Sequence, residues 1–134
     1  MEKVFFRLRV EDDYPPVSVE SVWAEKLPSG NYKIKNIPFY VKDASFDDEV
    51  SVSPGENGEL VFNFVVKSSG NSTIRVVFFE KNEFNVTDFK NKIVALGCEW
   101  EGFDKSFFSI NVPPETDLDV VIDMLEAWSK KGWL

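Results

Sequence analysis

From Val4 to Phe79, short runs of β-branched and aromatic residues are cut at close intervals by turn residues. This punctuation leaves room for strands but not for long helices. Pro28-Ser29-Gly30-Asn31 and Pro54-Gly55-Glu56-Asn57-Gly58 are its clearest marks. Strands are expected over 3–10, 20–27, 31–36, 48–53, 59–67 and 73–80. Short strands joined this tightly close into a small β-barrel or a bent antiparallel sheet, because closure removes exposed edges.

Past Thr73 the apolar period lengthens. Asn85 can cap a helix over 86–96, in which Phe89, Ile93 and Leu96 share a face, and Gly97 stands where a left-handed residue ends such a helix. Strands 98–102 and 106–112 follow, turning at Phe103-Asp104-Lys105, and Pro113-Pro114 stops the second. Thr116 is placed to cap a last helix, along which Leu118, Val121, Ile122, Leu125 and Trp128 recur at helical spacing. Its opposite face carries Asp119, Asp123 and Glu126, and Lys130, Lys131 and Gly132 close it.

The expected fold class is therefore α+β: an N-terminal small β-barrel or bent antiparallel sheet packed on a C-terminal ferredoxin-like β-α-β-β-α unit. That unit lacks its last strand unless Trp133-Leu134 supplies a stub. The strand through Ile74 and Phe79 is apolar on both sides, as if helices cover one face and the β-rich half the other. The chain is read as a single compact domain over 1–134, with a β-rich subregion 1–72 and an α+β subregion 73–134.

Composition narrows the function. The chain has 134 residues, 23 Asp+Glu against 15 Lys+Arg, a formal charge of −8, and no histidine. Such a molecule repels nucleic acid and anionic lipid and attracts cationic surfaces. Without histidine it lacks the commonest general acid–base group near neutral pH and the commonest metal ligand. No cofactor and no metal are expected. The opening residues alternate apolar with charged side chains, with no signal-peptide core, and no apolar run is long enough for a membrane span. With Cys98 as the single cysteine, a cytoplasmic address is expected, away from membranes.

Few local patterns suggest chemistry. Residues 68–73, Ser-Ser-Gly-Asn-Ser-Thr, lack the lysine and second glycine of a phosphate loop and lead into a strand, so they read as a connection. Cys98 beside Glu99 reads as a structural thiol. Asp47-Asp48-Glu49 shows no calcium-loop spacing. Residues 1–79 hold 9 basic and 12 acidic side chains, a net −3, and residues 80–134 hold 6 and 11, a net −5. The shorter second half is the more acidic. Glu99 and Glu101 flank Trp100 and project to one side of their strand, with Cys98 and Trp100 on the other.

Several segments, in order, carry a family resemblance: residues 19–25 (Val-Glu-Ser-Val-Trp-Ala-Glu), 32–40 (Tyr-Lys-Ile-Lys-Asn-Ile-Pro-Phe-Tyr), 69–76 (Ser-Gly-Asn-Ser-Thr-Ile-Arg-Val), 95–102 (Ala-Leu-Gly-Cys-Glu-Trp-Glu-Gly) and Val112-Pro113-Pro114. Together they resemble a bacterial uncharacterised-domain family with VESLWAE-like, SGHST-like and LGCEWEG-like motifs. The resemblance implies small cytoplasmic proteins, some encoded beside polymorphic toxins, and hence immunity proteins of contact-dependent growth inhibition and similar systems. This chain has Asn71 where the SGHST-like motif has histidine. The resemblance carries no catalytic residue over.

The expected function is that of an immunity protein, not an enzyme, which binds and neutralises a cognate basic toxin domain, a nuclease, by occluding its active or substrate-binding surface. A positive nuclease surface favours an acidic inhibitor. The expected contacts are Glu99, Glu101, Asp104, Asp119, Asp123 and Glu126, with Trp100 or Phe103 as an anchor. The free protein is expected to be a monomer, and nucleic acid is not an expected partner. The alternative is a small ligand- or RNA-binding regulatory module that uses an aromatic sheet face.

Overall fold

The computed structural model describes residues 1–79 and 83–134, with only the backbone described at 83 and 84. It is α+β and divides into two compact units, Met1–Asn71 and Ser72–Leu134.

The first unit is a closed barrel of β1 (Glu2–Arg7), β2 (Val19–Lys26), β3 (Tyr32–Ile34), β4 (Glu49–Pro54) and β5 (Leu60–Lys67), in that order. Successive strands are antiparallel, and the barrel closes through a short parallel pairing of β1 with β5. Alternation decides what faces inward: Val4 and Phe6 of β1, Val22 and Ala24 of β2, Tyr32 and Ile34 of β3 and Val50 of β4 are all buried in one apolar cluster. Phe62 of β5 joins them, its ring 4.5 Å from that of Phe6. The hairpin from β4 to β5 turns at Gly58, whose φ of +79° suits glycine.

Some expected strands are shorter in the structure. The first ends at Arg7, and Glu11 and Tyr14 then bond to each other across a tight turn at Asp12 and Asp13. The third stops at Ile34, because Lys35 and Asn36 turn to the backbone of Trp23: Lys35 N–H donates to the Trp23 carbonyl, and Trp23 N–H donates to Asn36 Oδ1. The loop beyond it adds Val41 and Ala44 to the barrel core.

The second unit is a three-stranded antiparallel sheet with two helices. The strands are β6 (Ser72–Val77), β7 (Glu99–Gly102) and β8 (Phe107–Val112), with β8 in the middle; the helices are α1 (Glu83–Ala95) and α2 (Leu118–Lys130). Residue 80, the end of the expected strand, lies outside the described residues. Val76, Phe78, Phe108, Ile110 and Val112 from the sheet meet Phe89 and Ile93 of α1 and Val121, Leu125 and Trp128 of α2. Both helices therefore cover the same sheet face. Phe78 sits at the centre, with edge-on contacts to Phe89, Phe108 and Trp128. Residues 133–134 form no strand, although the Trp133 carbonyl accepts the Phe79 N–H at 3.0 Å.

Two helix ends differ from expectation. α1 begins upstream of Asn85, which lies within its first turn and is not its cap. α2 is capped by Asp117, whose carboxylate accepts the Asp119 N–H at 3.0 Å, and not by Thr116. The Thr116 hydroxyl donates instead to the Leu96 carbonyl at the end of α1. Gly97 does end α1 as expected, with a φ of +88°. Its N–H reaches Val94 and that of Cys98 reaches Ile93, the two bonds of a Schellman turn.

Candidate acidic surfaces and the loops that brace the fold

The acids of α2 lie opposite its buried residues. Val121, Leu125 and Trp128 enter the core, while Asp119, Asp123 and Glu126 form an exposed ridge on the far side, and no ion pair engages any of them among the described residues. Val120 and Ile122 beside them are also partly exposed, at 47% and 36%.

The acids of β7 are on the other side of the sheet. Directly paired residues share a face, so Glu101, Ser109 and Arg75 form one row across β7, β8 and β6, and Glu99, Asn111 and Thr73 form the next. These rows alternate with Trp100, Ile110 and Ile74, which face the helices. Glu99 is exposed and Glu101 half-buried, while Ser109 and Asn111 are buried. The fold does not bring the strand glutamates and the α2 ridge onto one face.

The two aromatic candidates part company as well. Trp100 packs edge-on against Phe108 beneath the Lys90 ammonium, which lies 4.4 Å from its ring centre. Phe103 is 56% exposed at the β7–β8 turn, its ring 5.7 Å from that of Phe107. Asp104 builds that turn, accepting the N–H groups of Ser106 and Phe107 at 2.8 and 2.9 Å. Cys98 is buried in the core, and burial pushes its thiol pKa up, away from the reactive thiolate. No group of three or more His, Cys, Asp or Glu among the described residues is arranged to hold a metal ion. No helix among them is long and apolar enough to cross a membrane.

A family profile described as "Domain of unknown function (DUF4265)" matches residues 20–134. The chain belongs to the DUF4265 family. Among solved structures it is similar to a hypothetical protein from Neisseria gonorrhoeae, with a TM-score of 0.80 and 18% sequence identity, over 97% of this chain and 87% of that one. At that identity the likeness shows the fold alone. No curated protein matches the sequence.

Within this DUF4265 chain, polar residues of the quoted segments brace the barrel, a role that their sequence spacing did not reveal. The Glu20 carboxylate accepts three successive backbone N–H groups, from Phe39, Tyr40 and Val41, at 2.7, 2.9 and 3.0 Å. Asn71 donates through Nδ2 to the Phe46 carbonyl at 2.8 Å. Ser69 donates its N–H to Asp48, and its Oγ lies 2.8 Å from both Asp48 Oδ1 and the Phe46 carbonyl. Asp48, only 5% exposed, also accepts the Ser45 N–H. The one sequence signal for these contacts is negative: acids and amides inside otherwise apolar segments need partners when buried.

Proposed function

We propose that the chain is a binding protein that neutralises a basic partner, as immunity proteins of contact-dependent growth inhibition and other polymorphic toxin systems do. It occludes the active or substrate-binding surface of a nuclease-type toxin domain and performs no chemistry itself. The observation that carries this reading is the α2 ridge of Asp119, Asp123 and Glu126, exposed and engaged by no ion pair among the described residues. Charges left free in this way strengthen the field that guides a positive partner, and the apolar Val120 and Ile122 beside them supply area to bury on contact.

The position of Glu101, half-buried in a row with Ser109 and Arg75, favours the helix over β7 as the first surface to test. Reversing Asp119, Asp123 and Glu126 to lysine is expected to weaken binding to a cognate basic nuclease-type toxin domain by orders of magnitude. The thermal midpoint stays nearly unchanged. Binding that keeps its wild-type affinity and salt dependence in this triple variant rejects the ridge as the contact surface.

Two finer readings accompany this one. The strand order β6-β8-β7, with α1 between β6 and β7 and α2 after β8, supports a ferredoxin-like unit lacking its last strand. An RNA-binding sheet has less support, because the helix-free face that it would use carries Glu99 and Glu101, which repel phosphate.

A further inference from the structure

At the tip of the β4–β5 hairpin stands Asn57-Gly58, the only asparagine in the chain that is followed by glycine. The turn is tight: the Gly58 N–H donates to the Gly55 carbonyl at 3.1 Å, and the Gly55 N–H donates to the Glu59 carbonyl at 2.7 Å. Glu56, Asn57 and Gly58 are exposed. The Glu59 carboxylate accepts the Asn57 backbone N–H at 2.9 Å, but no hydrogen bond among the described residues holds the Asn57 side chain.

An asparagine carboxamide and the next backbone nitrogen are tethered closely enough to join in a succinimide ring, and such tethering lowers the barrier to reaction. A Cβ on the following residue ordinarily crowds the approach. Gly58 has none, and beyond its chain neighbours no atom lies within 4 Å of where one would stand. The bond from the Gly58 N–H to Gly55 must open first, and an exposed loop tip opens at little cost.

We propose that Asn57 is a site of spontaneous deamidation whose product loosens the seam of the barrel. The Gly58 nitrogen gives its proton to solvent base and attacks Asn57 Cγ. The N–Cγ bond forms, the Cγ–Nδ2 bond breaks, and Nδ2 takes a proton from solvent and leaves as ammonia. The succinimide nitrogen keeps no proton, so the bond to the Gly55 carbonyl is lost. Water then opens the ring. Cleavage of N–Cγ leaves aspartate, whereas cleavage of the bond to the backbone carbonyl carbon leaves isoaspartate, whose main chain runs through Cβ and is longer by a methylene. Either product sets a new carboxylate beside Glu56 and Glu59. Leu60 and Val61, which pair β5 with β1, follow directly, so a longer backbone at the turn disturbs the register of that seam.

The test ages the folded full chain in warm, mildly alkaline buffer and follows the tryptic peptide spanning residues 43–67 by mass spectrometry. A gain of about one mass unit is expected at Asn57, ammonia lost and water gained. Asn57→Gln, whose carboxamide would close a larger ring, slows the gain by about tenfold or more. The urea midpoint of the aged wild type falls, while fresh Asn57→Asp, which has the charge without the extra methylene, keeps a midpoint near that of the fresh wild type. A folded chain that gains no mass, a gain undiminished in Asn57→Gln, an aged chain as stable as the fresh one, or an Asn57→Asp variant as unstable as the aged chain overturns the proposal.

Discussion

The Asn71 side-chain amide donates to the Phe46 carbonyl at 2.8 Å, tying the loop that follows β5 to the one that precedes β4. A histidine ring N–H can supply the same kind of donor to the Phe46 carbonyl. Asn71→Ala is expected to lower stability by about 1 kcal/mol, the usual worth of such a bond, and Asn71→His by less. Urea denaturation of the two variants checks the order.

Glu20 holds a larger contact. Three consecutive N–H groups, of Phe39, Tyr40 and Val41, converge on its carboxylate, and charge-assisted bonds are stronger than neutral ones. Glu20→Ala is expected to cost about 2 kcal/mol and Glu20→Gln less, since one acceptor oxygen remains. Amide hydrogen exchange reads this locally: protection at residues 39–41 falls in the alanine variant, while that at Tyr32 and Ile34 falls only as far as global stability does.

Gly97 joins α1 to β7 with a φ of +88°, and a Cβ there would lie 3.1 Å from Thr116 Oγ1. Backbone strain and crowding act together, so Gly97→Ala is expected to destabilise by more than about 1 kcal/mol. Combining it with Thr116→Ala relieves the crowding but removes the bond to the Leu96 carbonyl. The double variant therefore stays below the wild type in thermal midpoint.

Strand alternation made the barrel legible, because Val4 and Phe6, Val22 and Ala24, and Tyr32 and Ile34 each place apolar side chains two residues apart. Helical spacing did the same for α2 and its acidic ridge. What stayed hidden depends on contacts distant in sequence: nothing near Glu20 indicates the N–H groups some twenty positions away, and nothing before Asn36 shows that it will serve Trp23 and end β3. At α2, Thr116 and Asp117 are both able to cap, and only the observed backbone chooses Asp117. The candidate site was legible one element at a time. Periodicity placed Glu99 with Glu101, and Asp119 with Asp123, but it could not say that both helices would take the Trp100 side of the sheet.

Two buried acids, Cys98 and Tyr32, are expected to lower stability at alkaline pH. Burial raises the Cys98 thiol; burial, then the Glu2 charge and its hydrogen bond, raise the Tyr32 phenol. In each case the folded form holds its proton at a pH where the unfolded form has released it. The stabilisation is therefore complete below the ordinary thiol pKa of about 8.5 and declines as pH rises through that value and then through the ordinary phenol pKa of about 10. Stability measured by urea between neutral and alkaline pH is expected to fall, and Cys98→Ala to flatten the first part of the fall. Glu2→Gln, which removes the charge facing Tyr32, moves tyrosinate absorbance to lower pH and makes the second part less steep. An unchanged alkaline slope in Cys98→Ala would show that the thiol carries none of it.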